Sequence, residues 1–286
     1  MWRRKLGICA DLESVLTVPE QIRLFADTGF EAFFTCWHRD EDLDGIAGAA
    51  RESDMIWQSI HAPFGHADDM WREDESLARK GVQDMIACLR DCARNEVPLM
   101  IAHAYIGFED FAPITELGAS RYAAVVREAE RLGVRIAFEN TEGEDYLAYL
   151  LDYFRGNPTV GFCWDSGHEM CYNGSRDLLA KYGERILGTH LNDNLGVRDY
   201  NGRITWHDDL HLLPYDGIAD WAYNMDRLAK TGFDDILTFE VNIGSKPNRH
   251  ENDVYMQMPV RQYAAEAYKR ACRVAAEFER QRAAIR

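Results

Sequence analysis

Apolar residues along the chain follow two alternating rhythms. Short runs rich in Val, Ile and Phe give way to polar turns, then to stretches where apolar residues recur at helical spacing. The runs predict strands at Leu6–Ala10, Ala32–Cys36, Trp57–His61, Leu99–His103, Arg135–Glu139, Val160–Trp164, Ile186–His190 and Ile236–Glu240. Helical spacing falls near 18–28, 41–53, 73–94, 116–132, 144–154, 175–183 and 218–230, and a last helix is expected near 260–281. Runs this uniformly apolar suit strands covered on both faces, as in a parallel sheet. Eight such units in 286 residues predict a single (β/α)8 TIM barrel, one domain over 1–286. A doubly wound open sheet is the weaker alternative, because no GxGxxG follows the first strand. Two connections, 191–217 and 242–258, are long enough to expect a functional role. In a barrel both lie on the face where the strands end.

The polar residues concentrate at those strand ends. From the third strand onward each core strand closes on a group that can bind a metal: His61, His103, Glu139, Asp165, His190 and Glu240. His168 follows Asp165 by three residues, and Asp209 and His211 form an Asp-x-His pair in the long loop. Any one of these has an ordinary reading. A strand-end His is commonly a hydrogen-bonded structural residue, and Asp165 is well placed to cap the next helix. Together they converge on one bowl, where buried carboxylates without cations resist ionisation. Mixed imidazole and carboxylate donors suit Zn, Mn, Fe or Co.

Charge narrows the partners. The chain carries 32 Lys and Arg against 48 Asp and Glu, a net charge of −16. Phosphate-backbone binding needs clustered cations, and none stands out, so nucleic acid is not expected as a partner. The stretch 63–75 is acid-rich and holds one Arg. No apolar run reaches the roughly 20 residues a membrane helix needs, and no signal peptide is expected behind the basic Met1–Lys5 start. The seven cysteines, 9, 36, 88, 92, 163, 171 and 272, include no CxxC. Reduced thiols in a cytoplasmic protein, mostly small core fillers, are expected.

Four segments resemble the xylose isomerase-like barrel superfamily, which groups sugar isomerases and epimerases with the endonuclease IV family. They are Phe138-Glu139-Asn140-Thr141, Trp164-Asp165-Ser166-Gly167-His168, Thr189-His190-Leu191-Asn192-Asp193 and Asp209-Leu210-His211-Leu212-Leu213-Pro214-Tyr215-Asp216-Gly217. The resemblance covers nearly the whole chain. In the ketose 3-epimerase branch it implies one divalent ion, most often Mn with Mg, Co, Fe or Zn as alternatives, on Glu139, Asp165, His190 and Glu240. His168 would then contact substrate. In the endonuclease IV branch it implies up to three zinc ions, with His61, His103, His168, Asp209 and His211 as further ligands. The acidic charge and the bowl loops poor in Lys and Arg favour the sugar branch. That branch places an Arg six residues after the metal His. The position is Gly196 here, and the nearest Arg, Arg198, is the candidate for that contact.

The activity so implied is a metal-dependent isomerase or epimerase of a ketose or polyol-derived sugar. It would act through a cis-enediolate, with Glu139 and Glu240 as acid and base and His168 as a polarising group. A lyase or dehydratase on the same scaffold is a further alternative. The lack of a Lys/Arg cluster favours an unphosphorylated substrate. Trp37, Phe64, Tyr105, Trp164 and Trp206 are the candidates for lining the bowl, with barrel core as the alternative, and Glu142 is a candidate for orienting neighbours. The last helix carries Tyr263, Ala264, Tyr268, Cys272, Val274 and Phe278. These would either pack on a partner in a homodimer or close the chain's own outer ring.

Overall fold

A computed structural model describes residues 4–197 and 203–285. The elements run β1 (Leu6–Cys9), α1 (Val18–Thr28), β2 (Ala32–Cys36), α2 (Leu43–Glu52), β3 (Ile56–His61), α3 (Glu75–Arg94), β4 (Leu99–His103), α4 (Glu116–Leu132), β5 (Arg135–Glu139) and α5 (Glu144–Tyr153). They continue with β6 (Val160–Asp165), α6 (Ser166–Cys171), α7 (Leu178–Tyr182), β7 (Ile186–His190), α8 (Trp221–Lys230), β8 (Leu237–Phe239), α9 (Asp253–Met256) and α10 (Val260–Ile285). All strand pairs are parallel, in the order β7-β6-β5-β4-β3-β2-β1-β8. This is the expected (β/α)8 barrel.

The seam between β7 and β8 closes by a short bridge rather than a full ladder. Leu191 N donates to Thr238 O at 2.8 Å and Glu240 N donates to Leu191 O at 3.2 Å. Thr238 N turns instead to the Thr189 hydroxyl at 3.1 Å. The extent of β8 is set by its other neighbour, β1, whose Leu6, Gly7 and Ile8 pair with Leu237, Thr238 and Phe239. Helix starts move inward from the predicted positions for a local reason. Asp42, Asp74 and Asp220 each accept a first-turn N–H, which fixes the first helical residue just after them. α6 was not expected from periodicity, because it begins directly at the end of β6 with no intervening turn.

Alternation along the strands sets up the site. Phe138, Phe162 and Met100 point outward into the core shared with the helices. Leu99, Ile101, Ala137 and Cys163 form a separate apolar plug inside the barrel. A Cβ on Gly188 would meet Leu99, Ile101 and Cys163, so Gly188 belongs to the same layer. Two residues further along the same strands come His103, Glu139, Asp165 and His190, with His103 beside Glu139 and Asp165 beside His190 in register. The period of two thus raises a ring of polar groups directly above a dry floor.

α10 spends its apolar face on its own barrel. Tyr263, Ala264, Val274 and Phe278 are fully buried in the main core, with Tyr268 and Cys272 packed beside them. This helix therefore completes the outer ring, the second of its two expected roles. All seven cysteines are unpaired, and Cys9, Cys88, Cys92, Cys163 and Cys171 are buried. Among the described residues no helix is long and apolar enough to cross a membrane.

Candidate metal centre and active site

The strand ends and the 191–217 loop bring nine donor residues into three groups. In each group one donor atom per residue lies within 4.8 Å of the others. The first is His61, His103 and Glu139; the second Glu139, Asp165, His190 and Glu240; the third His168, Asp209 and His211. Glu139 belongs to two of them. A fourth combination, Glu139, Cys163 and His190, overlaps the second from below, where Cys163 caps the apolar plug.

Hydrogen bonds orient three of the imidazoles in the same way. Nδ1–H donates to a main-chain carbonyl in His61 (Ala62 O, 2.8 Å), His168 (Asn140 O, 3.0 Å) and His211 (Glu240 O, 3.1 Å). Each Nε2 is thereby left to face a carboxylate. His61 Nε2 lies 3.2 Å from Glu139 Oε2, and His168 Nε2 and His211 Nε2 lie 3.3 and 2.9 Å from Asp209 Oδ1. A neutral imidazole held this way points a lone pair at an anion. That contact is repulsive unless a proton or a cation sits between them, and backbone-fixed imidazole with an inward nitrogen is the usual arrangement of metal-binding histidines.

His103 Nε2 approaches the same Glu139 oxygen at 3.3 Å, while its buried Nδ1 has no partner. His190 Nδ1 lies 2.9 Å from both Glu139 and Glu240. Phe34 stacks on His190 and Phe64 on His103, fixing both rings. His211 sits at φ +46°, in the left-handed region a non-glycine residue seldom adopts. The strained turn aims its ring back at the Glu240 carbonyl.

Electrostatics in the bowl are correspondingly distorted. Burial pushes the Asp165 carboxyl up to about 7, although His168 opposes this. Burial would also raise Glu139, Asp209 and Glu240, but the neighbouring imidazoles win. Glu139 and Asp209 fall well below the usual range and Glu240 falls to about 2. Burial lowers His103 to about 4, so it is neutral at pH 7. His168 and His190 are raised, and His211 is raised to about 9, because carboxylates outweigh burial. Glu139, Asp209 and Glu240 are thus balanced mainly by protons on buried rings, with the Lys246 ammonium 3.6 Å from Asp209. Divalent ions would do the same work without charging imidazoles, so the donor set fits one or more such ions.

Asp165 takes both of the roles open to it from sequence. It is the N-cap of α6, accepting the His168 N–H at 2.6 Å through Oδ1, and it sits in the second donor group. Its Oδ2 accepts from Asn192 Nδ2 at 2.7 Å.

Matches to known proteins agree with this fold. The family described as xylose isomerase-like TIM barrel matches residues 22–258. The chain belongs to this family. In sequence, a 113-residue stretch is 34% identical to the uncharacterized protein y4fM of Sinorhizobium fredii, covering 37% of this chain and 33% of that one. The match thus spans about a third of the relative's length. Among solved structures, an IolI protein with a bound zinc atom superposes with a TM-score of 0.75 at 18% identity, over 96% of this chain and 99% of its own. An L-ribulose 3-epimerase superposes at 0.73 and 17% identity, over 99% and 97%.

The barrel opens at its strand ends into a cavity of about 290 Å³. Phe64 and Trp206 line it as expected, together with His61, His103, Glu139, His168, Asp209, His211, Glu240 and Glu142. Trp37, Tyr105 and Trp164 do not. Trp37 Nε1 donates to Asp91 on α3, Tyr105 stacks on Tyr146, and Trp164 donates to Glu169 beneath Arg227. Each ring packs with a helix instead of reaching the bowl, so the core alternative holds for these three. Arg198 lies outside the described residues. Glu142 accepts the Gly107 N–H at 2.7 Å and so ties the β4–α4 loop to the cavity wall.

Sequence reasoning missed Ile106, Phe108, Thr141, Tyr172 and Lys246, which also line the cavity. Tyr172 stands four residues after His168, a spacing that places it on the same helical face and was legible. Lys246 lies in the long 242–258 connection but carries no motif.

Proposed function

We propose that this chain is a divalent-metal-dependent isomerase or epimerase of a small polyhydroxy ketone. The observation that carries the reading is that two carboxylates, Glu139 at the end of β5 and Glu240 just past β8, line a small aromatic-walled cup and meet at one atom, His190 Nδ1. A cavity of about 290 Å³ is near the lower end for ligand sites, which suits a sugar. Similarity to the epimerase fold supports the same class of reaction.

Glu139, Asp165, His190 and Glu240 would hold the ion, which when bound supplies Lewis acidity toward neighbouring substrate oxygens. The protein's own groups do the rest. One glutamate removes the proton from the carbon next to the carbonyl, leaving a cis-enediolate, and the other returns it. Return to the opposite face of the same carbon is epimerisation; return to the neighbouring carbon is isomerisation. Glu240 is the more open to the cavity, at 18% side-chain exposure against 1% for Glu139. We assign it the proton transfer nearer the mouth. His168, with Nδ1 fixed on Asn140 and Nε2 beside Asp209 in the cavity wall, would offer Nε2 to a substrate oxygen. The test is incubation of the Mn-reconstituted protein with a ketose panel in D2O. Deuterium at the carbon beside the carbonyl is expected, and no exchange with any ketose would refute the proposal.

A second reading rests on one specific observation, the filling of all three donor groups. Three zinc ions there would suit hydrolysis of a phosphoester, with the ions clamping attacking and leaving oxygens. Cleavage of an abasic or simple phosphodiester by zinc-loaded protein, without deuterium exchange, would favour it.

A further inference from the structure

We propose that Lys246 makes this cavity selective for substrates carrying an anionic group, a carboxylate or a phosphate, at one end. The proposal rests on the reading above only for where the substrate sits. Among the described residues lining the cavity, Lys246 is the single Lys or Arg. Its ammonium is placed from two sides, 5.5 Å from the centre of the Trp206 ring and 3.6 Å from Asp209 Oδ2. The side chain is only 21% exposed. The contact to Asp209 is too long for a hydrogen bond, so among the described residues the ammonium is open to a closer acceptor.

Asp209 does not neutralise this lysine alone. The same carboxylate faces His168 Nε2 at 3.3 Å and His211 Nε2 at 2.9 Å. Asp209 is therefore shared among two imidazoles and Lys246, whose ammonium lies farthest from it. The other lining carboxylates are engaged elsewhere. Glu139 and Glu240 meet at His190, and Glu142 Oε1 accepts the Gly107 N–H. Phe64, Phe108, Tyr172 and Trp206 supply the apolar wall. The fitting ligand therefore has C–H faces for the rings and one anionic terminus for Lys246, which would exchange a distant ion pair for a short charge-assisted hydrogen bond.

Three probes on one skeleton test this: D-fructose, D-fructuronate and D-fructose 6-phosphate, titrated calorimetrically into the Mn-reconstituted chain. At least one anionic sugar is expected to bind about tenfold or more tighter than D-fructose, the size of one charged hydrogen bond. That ratio should fall to near one in Lys246→Met and return in Lys246→Arg. It should also weaken as salt is raised. Whether the carboxylate or the phosphate is preferred identifies the anion. Equal affinity for all three, no measurable binding of any, or a preference that survives in Lys246→Met overturns the proposal. Binding is measured without turnover. Absence of deuterium exchange beside a retained Lys246-dependent preference would count only against the proton-transfer reading.

Discussion

Replacing Gly167 by Ala should damage the candidate metal centre without touching a donor atom. A Cβ at this position would lie 1.8 Å from Asn192 Oδ1 and 2.9 Å from its Cγ, far inside van der Waals contact. Asn192 is fully buried, and its main chain is clamped by Ser166, which donates to Asn192 O at 2.7 Å and accepts from Asn192 N at 3.0 Å. The side chain must therefore swing away, and the 2.7 Å bond from Nδ2 to Asp165 Oδ2 breaks. Losing a hydrogen bond to a buried carboxylate costs about 1.5–3 kcal/mol, and residual overpacking adds about 1 kcal/mol. A total near 3 kcal/mol corresponds to a melting temperature lower by about 5 °C for a chain of this size. Asp165 would lose its orientation as well, so divalent-ion affinity should fall about tenfold or more. Thermal unfolding of chelator-treated protein reads the first effect, and competition with a fluorescent chelator reads the second. The double variant Gly167→Ala/Asn192→Ala removes the clashing group. It should be no worse than Asn192→Ala alone, a non-additivity expected of residues in direct contact. If Gly167→Ala melts within about a degree of the parent and keeps its ion affinity, the reasoning is wrong.

Other consequences follow from the same geometry. Glu240→Gln should retain the fold and lower deuterium exchange by about a hundredfold or more, and unchanged exchange would remove Glu240 from the proton path. Asp193 is buried and accepts from the main-chain N–H groups of Asn194, Tyr215 and Ala219 and from Trp221 Nε1. Asp193→Ala, which orphans all four donors, should cost about 3–5 kcal/mol in urea unfolding and loosen the loop carrying Asp209 and His211. In metal-free protein, His211 is held up to about 9 chiefly by Asp209 against burial. A raised imidazole stabilises the fold fully below its unfolded value of about 6.5. That stabilisation is lost as pH climbs through about 9. Apo stability should therefore decline over this window, and a bound divalent ion should flatten the decline because a coordinated imidazole is already unprotonated. Equal slopes with and without ion, measured by denaturant titration, would argue against coordination by His211.

Much of this site was visible in the sequence because its geometry follows from strand period. Once Ile101, Ala137 and Cys163 face inward, His103, Glu139 and Asp165 must do so too, two residues on. A polar residue closing an apolar run is therefore a direct pointer to the bowl. Three of the five aromatic candidates pack away from the bowl for a related reason. Trp37 and Tyr105 come one or two residues past a strand end, where the chain has left the strand and period two no longer fixes direction. Trp164 is within β6, but it alternates outward between Cys163 and Asp165 and so packs against helix residues. Lys246 and Phe108 lie in connections without periodicity, and only the folded chain brings them to the cavity. The tautomer pattern of His61, His168 and His211 was likewise invisible, because it depends on carbonyls supplied by Ala62, Asn140 and Glu240.

If the strand-end donors hold divalent cations, the metal content per chain will show it. Elemental analysis of protein purified without chelator should find at least one divalent transition-metal ion per chain, reduced in Asp165→Asn. A second and third ion should disappear selectively in His61→Ala and His211→Ala if the outer groups are filled. Protein that contains no such ion, and takes up none on dialysis against Mn, Zn and Co, would rule out a metal site at these donors.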